Sequence, residues 1–268
     1  MSAAERLPNA AVALERREGL AILSLDRPDA GNAVNRALAE DLAAATERLA
    51  GDASLRALLL RANGRAFCVG GGVDDFAAAG DALPAYIGAL VGLLHAAVAR
   101  LDALAVPVVA AVRGVAAGGG LSLACAADLV VAGESARFVV AYSGIGLSPD
   151  LGASHALPRL VGVRRALDLA LTNRPLDAAE ALACGLVSRV VPDERVEAEA
   201  LELAERLARG PTRALAAIRR LLRDAGLRPL GAQLAEEARS IALLAASGDA
   251  REGIAAFLAK RAPDFRGR

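Results

Sequence analysis

Two glycine triplets constrain this chain more than any other feature. Gly70-Gly71-Gly72 follows an apolar run at 55–61, after a turn at Asn63-Gly64. Gly118-Gly119-Gly120 follows an apolar run at 107–113. Short apolar runs of this kind predict buried strands. Three residues without side chains directly after a strand let a ligand approach the backbone N–H groups closely. The second triplet also opens a short predicted helix at 121–125, whose first N–H groups carry the positive end of the helix dipole. Either triplet alone reads as a tight turn. Two of them, each after a buried strand, read as a pair of N–H donors aimed at an oxygen that gathers negative charge.

The surrounding pattern is α/β. Strands are predicted at 19–25, 55–61, 107–113 and 128–132. A helix at 35–49 carries Leu38, Leu42, Ala45 and Leu49 at helical spacing and stops at Gly51. A second amphipathic helix covers 86–104. Strand, helix, strand in this order implies a parallel sheet covered on both faces. Beyond residue 162 the pattern turns helical, beginning with 163–171. Asp177-Ala178-Ala179-Glu180 reads as a capping box for a helix ending at Gly185. One short strand at 187–191 precedes helices at 194–209, 212–224, 230–246 and 251–261. We therefore expect an α/β core over residues 1–195 and a helical region over 196–268. The alanine-rich faces of that region suit packing within the chain or between subunits.

Composition excludes several functions. Of 268 residues, 55% are apolar but 3% are aromatic, so the core is built by close helix and strand contacts rather than large rings. Lys+Arg and Asp+Glu both number 31. That balance argues against a nucleic-acid groove or an anionic membrane as partner. Cys68, Cys125 and Cys184 are odd in number and widely spaced, which gives neither a disulfide framework nor a metal pair and points to a reducing, cytoplasmic setting. Cys68 and Cys125 flank the glycine turns and read as packing residues. His95 and His155 lie far apart, so no metal site is expected. Residues 1–10 lack the basic start and apolar run of a secretory signal. The apolar stretch at 90–111 is interrupted by His95, Arg100, Asp102 and Pro107 and is not read as a membrane span.

These motifs resemble the crotonase superfamily, the enoyl-CoA hydratases and isomerases. Ser24-Leu25-Asp26-Arg27-Pro28 with Asn32-Ala33-Val34 is similar to its LNRP…NAL signature. Arg65-Ala66-Phe67-Cys68-Val69-Gly70-Gly71 is similar to its AFCAGAD segment. Residues 114–124, followed by Asp128, are similar to its second signature, G-x-A-x-GGG-x-x-LA. Glu252-Gly253-Ile254-Ala255-Ala256-Phe257 with Lys260-Arg261 resembles its EG…AF…KR ending. The resemblance spans nearly the whole chain. It implies a crotonase-type spiral of repeated ββα units with a C-terminal helical region, assembled as a homotrimer or a dimer of trimers. It implies an acyl-CoA substrate of the kind met in fatty acid metabolism, with coenzyme A entering as part of that substrate and no further cofactor required. The N–H groups of Gly71 and Gly119 would form the oxyanion hole. Ala30, Asn32, Ala33 and Val69, with Gly70 beside them, would line the pantetheine and adenine path. Phe257 and Lys260 would meet the adenine and a phosphate, from a neighbouring subunit.

The same resemblance bears on the reaction. Typical hydratases of the superfamily carry two water-activating glutamates, and the corresponding positions here are Ser122 and Tyr142. Without either carboxylate, addition of water lacks an obvious base. Gly146-Leu147-Ser148-Pro149-Asp150-Leu151-Gly152 and Leu157-Pro158-Arg159-Leu160-Val161-Gly162 resemble the G-L-x-P-D-x-G…LPRLVG segment of the epoxide and enoyl-CoA isomerases. That implies a proton shuttle at Asp150, desolvated among apolar neighbours and so raised in pKa. The competing reading of Asp150 is a helix N-cap, because 151–160 looks helical. A hydratase with water held by Ser122 and Tyr142, and a thioester binder without catalysis, stay open beside the isomerase. The aspartate of chlorobenzoyl-CoA dehalogenase holds the same position, but this chain has no tryptophan to match that enzyme's aromatic ring-holding residues.

Overall fold

The computed structural model describes residues 5–268. Of the ten N-terminal residues inspected for a leader, 1–4 lie outside the described ones. In chain order the strands are β1 (Glu5–Arg6), β2 (Val12–Arg17), β3 (Leu20–Leu25), β4 (Ala57–Ala62), β5 (Val108–Val112), β6 (Val115–Ala117), β7 (Leu129–Gly133), β8 (Arg137–Val139), β9 (Leu176–Asp177) and β10 (Arg189–Val191). The main sheet has the order β1-β2-β3-β4-β5-β7-β10. Strands β3, β4, β5, β7 and β10 run parallel, as strand–helix–strand alternation predicts. The sequence reading missed β1 and β2, which pair antiparallel at one edge. Strand β2 joins β3 through the two-residue turn Glu18-Gly19. It also missed a second sheet, β6-β8-β9, built from strands of two or three residues.

The helices are α1 (Arg36–Ala50), α2 (Val73–Ala79), α3 (Leu83–Ala103), α4 (Gly119–Ala126), α5 (Ala153–Val161), α6 (Val163–Thr172), α7 (Ala178–Ala183), α8 (Val196–Ala208), α9 (Thr212–Asp224), α10 (Leu230–Ala245) and α11 (Gly248–Leu258). Asn35 caps α1 through Leu38 N–H, and Asp177 caps α7 through Glu180 N–H. The Glu180 carboxylate turns away to Arg174, so the capping box closes on one side.

Strand alternation splits the core in two. Ala21, Leu23 and Leu25 face a large apolar cluster shared with α1, α3 and α4. Leu20 and Ile22 face the opposite cluster, where Val196, Ala200, Leu203 and Ala204 of α8 cover the sheet. Thus α8, at the start of the expected helical region, is a layer of the sheet's own packing. The stretch Val73–Ala103 is long and apolar enough, by length and composition, to cross a membrane, with mean hydropathy 1.8. It is broken at Gly80 into two helices, and α3 turns Leu90, Leu94, Ala97 and Leu101 into the core.

Candidate active site

The two glycine turns lie side by side at the ends of parallel strands. Cys68 N–H donates to Val115 O (3.0 Å), and Ala117 N–H donates back to Cys68 O (2.9 Å). This short ladder brings the turns so close that side chains are excluded. A Cβ on Gly120 would stand 2.2 Å from Cys68 O. Gly70, at φ +97°, would place a Cβ 3.0 Å from Ala117 O.

The ladder also determines which N–H groups are free. Val34 N–H donates to Gly70 O (2.7 Å), and Gly72 N–H donates to Val34 O (2.8 Å). In such a parallel bridge the residue between, Gly71, points its own N–H to the other side. Gly118 N–H is engaged with Val139 O, 3.0 Å away. Gly119 is the first residue of α4, so its N–H has no partner within the helix. Neither Gly71 N–H nor Gly119 N–H has an acceptor among the described residues. The two N–H groups singled out in the sequence are therefore brought to adjacent turns and left available.

Beside them runs a chain of side chains. Tyr142 Oη donates to Asp150 Oδ1 (2.5 Å). Ser122 Oγ lies 2.8 Å from Tyr142 Oη and 3.2 Å from Gly118 O. Ser122 is 1% exposed and Tyr142 is buried. With Asp150 ionised, Ser122 donates to Tyr142 and Tyr142 to Asp150. With Asp150 protonated, every donor can turn round, from Asp150 through Tyr142 and Ser122 to the Gly118 carbonyl. Each hydroxyl has a partner in both arrangements. Burial pushes the Asp150 carboxyl above its ordinary range, partly opposed by Tyr142 donation and nearby His95. Burial and the Asp150 charge both push the Tyr142 phenol up.

Asp150 is not a helix cap. Helix α5 begins at Ala153 with Gly152 at the cap, so the expected start at 151 is two residues early. His95, Ser122 and Asp150 line a cavity of about 1030 Å³, together with Leu215 and Leu222 of α9. His155 stands on that cavity's wall.

The other expected contacts divide. Ala30 and Val69 are exposed at the mouth of the turns, Val69 at 43%, and Ala33 is half-buried. Asn32 does not line a path, because it is 0% exposed. Its Nδ2 donates to Asn63 O and Ala66 O (both 2.9 Å), and its Oδ1 accepts from Arg27 N–H (2.8 Å). It staples the turn after β3 to the turn after β4. Phe257 is 83% exposed on α11 and Lys260 follows it, and no hydrogen bond links either to the turns. Cys68 and Cys125 are buried, with thiols pushed up by burial to about 11 and about 12, in keeping with packing roles. Among the described residues no three His, Cys, Asp or Glu side chains gather as metal ligands. Sequence reasoning missed the bond between His95 and Leu151, which lie 56 residues apart, and the Gly118 carbonyl, which accepts from Ser122 one helical turn on.

Known proteins agree with this architecture. A family model described as enoyl-CoA hydratase/isomerase matches residues 15–268. A Rhodobacter capsulatus protein named "Probable enoyl-CoA hydratase" is 44% identical, with 95% of this chain and 97% of that protein covered. The 1,2-epoxyphenylacetyl-CoA isomerase of Escherichia coli is 39% identical, over 94% of this chain and 96% of that one. The crystal structure of an enoyl-CoA hydratase from Polaromonas sp. JS666 superposes with a TM-score of 0.90 at 32% identity, over 95% of this chain and 99% of that one. Matched in sequence and in structure over nearly its whole length, the chain has the crotonase fold and belongs to the enoyl-CoA hydratase/isomerase family.

Proposed function

We propose that the chain isomerises a double bond in an unsaturated acyl-CoA thioester, with Asp150 as the proton carrier. The observation that carries this reading is Asp150 itself. It is a half-buried carboxyl facing the cavity, bonded to a hydroxyl chain that satisfies it in both protonation states. In the first step the Asp150 carboxylate removes a proton from the carbon next to the thioester carbonyl. The electron pair passes to the carbonyl oxygen, and Gly71 N–H and Gly119 N–H hold the resulting enolate. Asp150 then returns the proton two carbons further along, and the double bond moves into conjugation with the thioester. Tyr142 and Ser122 reverse their donation between the two steps. Coenzyme A serves as the handle of the substrate, and no separate cofactor enters. In a trimer, Phe257 and Lys260 would serve a neighbour's site, a role supported by the exposure of Phe257 on α11 and of Lys260 just past its end.

The test is conversion of a β,γ-unsaturated acyl-CoA to its α,β isomer, followed by absorbance of the conjugated thioester. Asp150→Asn should lower kcat by about 10²–10⁴-fold while CoA-ester binding persists. Full activity in that variant would sink the assignment. The name of the Rhodobacter capsulatus relative favours a second reading, hydration of the double bond. Incorporation of solvent oxygen into crotonyl-CoA would support it. The engagement of Ser122 and Tyr142 with each other and with Asp150 weighs against their holding a water.

A further inference from the structure

We infer that His95 is a positioning residue, which holds the Asp150 carboxyl in its working place through the backbone of Leu151. The inference deepens the isomerase reading and rests on it for what that place is used for.

Leu151 has φ +49°, in the left-handed region that a leucine rarely adopts. Such a conformation persists where its surroundings over-determine it. Two anchors do so here. The Leu151 side chain is 2% exposed, and a methyl lies 3.8 Å from where a Cβ would stand on Gly119. The Leu151 N–H donates to His95 Nε2, 3.2 Å away on α3. The residue after Asp150 is thus pinned to the second glycine turn by its side chain and to α3 by its backbone. Without the N–H anchor, the turn at 150–152 is free to relax to ordinary backbone angles, and the carboxyl moves with it.

The anchor depends on protonation. An imidazole nitrogen accepts only while it carries no proton, so a protonated His95 presents a donor to a donor. His95 lines the cavity from α3, and the charged and titratable groups that line it from the packed elements are Asp150 on the turn, His155 and Arg159 on α5, and Arg219 and Arg223 on α9. Asp102 shares its helix, and Asp128 lies between α4 and β7. Arg219 and Arg223 are already paired with Asp128, and Arg223 also with Asp102. The charge of a protonated His95 opposes the upward push of burial on the Asp150 carboxyl. Its effect on the base is therefore through position, by loss of the Leu151 anchor.

The test uses the full chain labelled with 15N-leucine. In wild type the Leu151 amide shift should follow the His95 imidazole titration. In His95→Gln, whose amide oxygen can still accept, that dependence should vanish. In turnover, His95→Leu should lower kcat by about 10–100-fold with little change in KM. His95→Gln should restore most of kcat, and its acid limb should have limiting slope one where wild type has slope two. A Leu151 amide indifferent to the His95 titration, or a His95→Leu enzyme with wild-type kcat, overturns the inference. The amide measurement needs no turnover, so failure of His95 as anchor is distinguishable from failure of the isomerase reading.

Discussion

Asp150 must be ionised to take a proton, and its burial opposes ionisation. Burial holds the carboxyl above its ordinary range, so the proposed isomerisation should fall off as pH drops through that raised value. Tyr142 supplies a hydrogen bond to the ionised form and limits the rise. Tyr142→Phe removes that donor, so the acid limb of kcat should move to higher pH, with little change in KM. An acid limb unmoved in this variant would mean that Tyr142 does not serve the carboxylate. The sign for stability follows from the same shift. A carboxyl raised in the folded state contributes stability at low pH that is lost as pH rises through the folded value. Asp150→Asn should therefore unfold no earlier than wild type at neutral pH. At this scale the sequence displayed residue types but not their partners. Ser122, Tyr142 and Asp150 were visible as positions, yet their mutual bonds span 20 and 8 residues. Asn32 reads in sequence as a pocket wall, because its acceptors on Asn63 and Ala66 lie 31 and 34 residues away.

The glycine turns act as one element. The sequence shows each triplet, since strand, turn and helix start are local signals. That the triplets touch is a property of the parallel sheet, which sets β4 beside β5 and lets Cys68 pair across to Ala116. The three-residue strands β6 and β8 escape sequence reading for a related reason: a run that short has no period to detect. The contact makes the six glycines unequal. Gly120→Ala would drive a methyl into Cys68 O and separate the turns. We expect a loss of about 1–3 kcal/mol in denaturant unfolding. Gly119→Ala places its Cβ 3.6 Å from Val34 and 3.8 Å from Leu151, ordinary contact distances, and keeps its N–H. That variant should unfold within about 1 kcal/mol of wild type. Equal stability losses at the two positions would contradict the packing described for the turns.

The C-terminal helices and the sheet are joined at a point that composition conceals. Arg219 of α9 is one arginine among many in the sequence, but its side chain is 9% exposed. Its Nε donates to both oxygens of Asp128 (2.9 and 2.8 Å). Its other nitrogens donate to the carbonyls of Leu101, Asp102 and Leu104 at the end of α3. Arg223 adds bonds to Asp128 and to Ala126 O. One guanidinium thus satisfies carbonyls that a helix terminus leaves open and ties α9 to the layer that carries His95. Arg219→Leu leaves those carbonyls unpaired and Asp128 with Arg223 as its remaining cation. The expected cost is about 1–3 kcal/mol, and Arg219→Lys should recover little of it, because an ammonium cannot span the five acceptor oxygens. Since α9 supplies Leu215 and Leu222 to the cavity wall, its release should also raise KM for acyl thioesters more than it lowers kcat. Hydrogen exchange locates the damage: α9 amides should lose protection while those of β4 and β5 keep theirs. Uniform loss across the sheet would mean that Arg219 supports the fold as a whole rather than the attachment of α9.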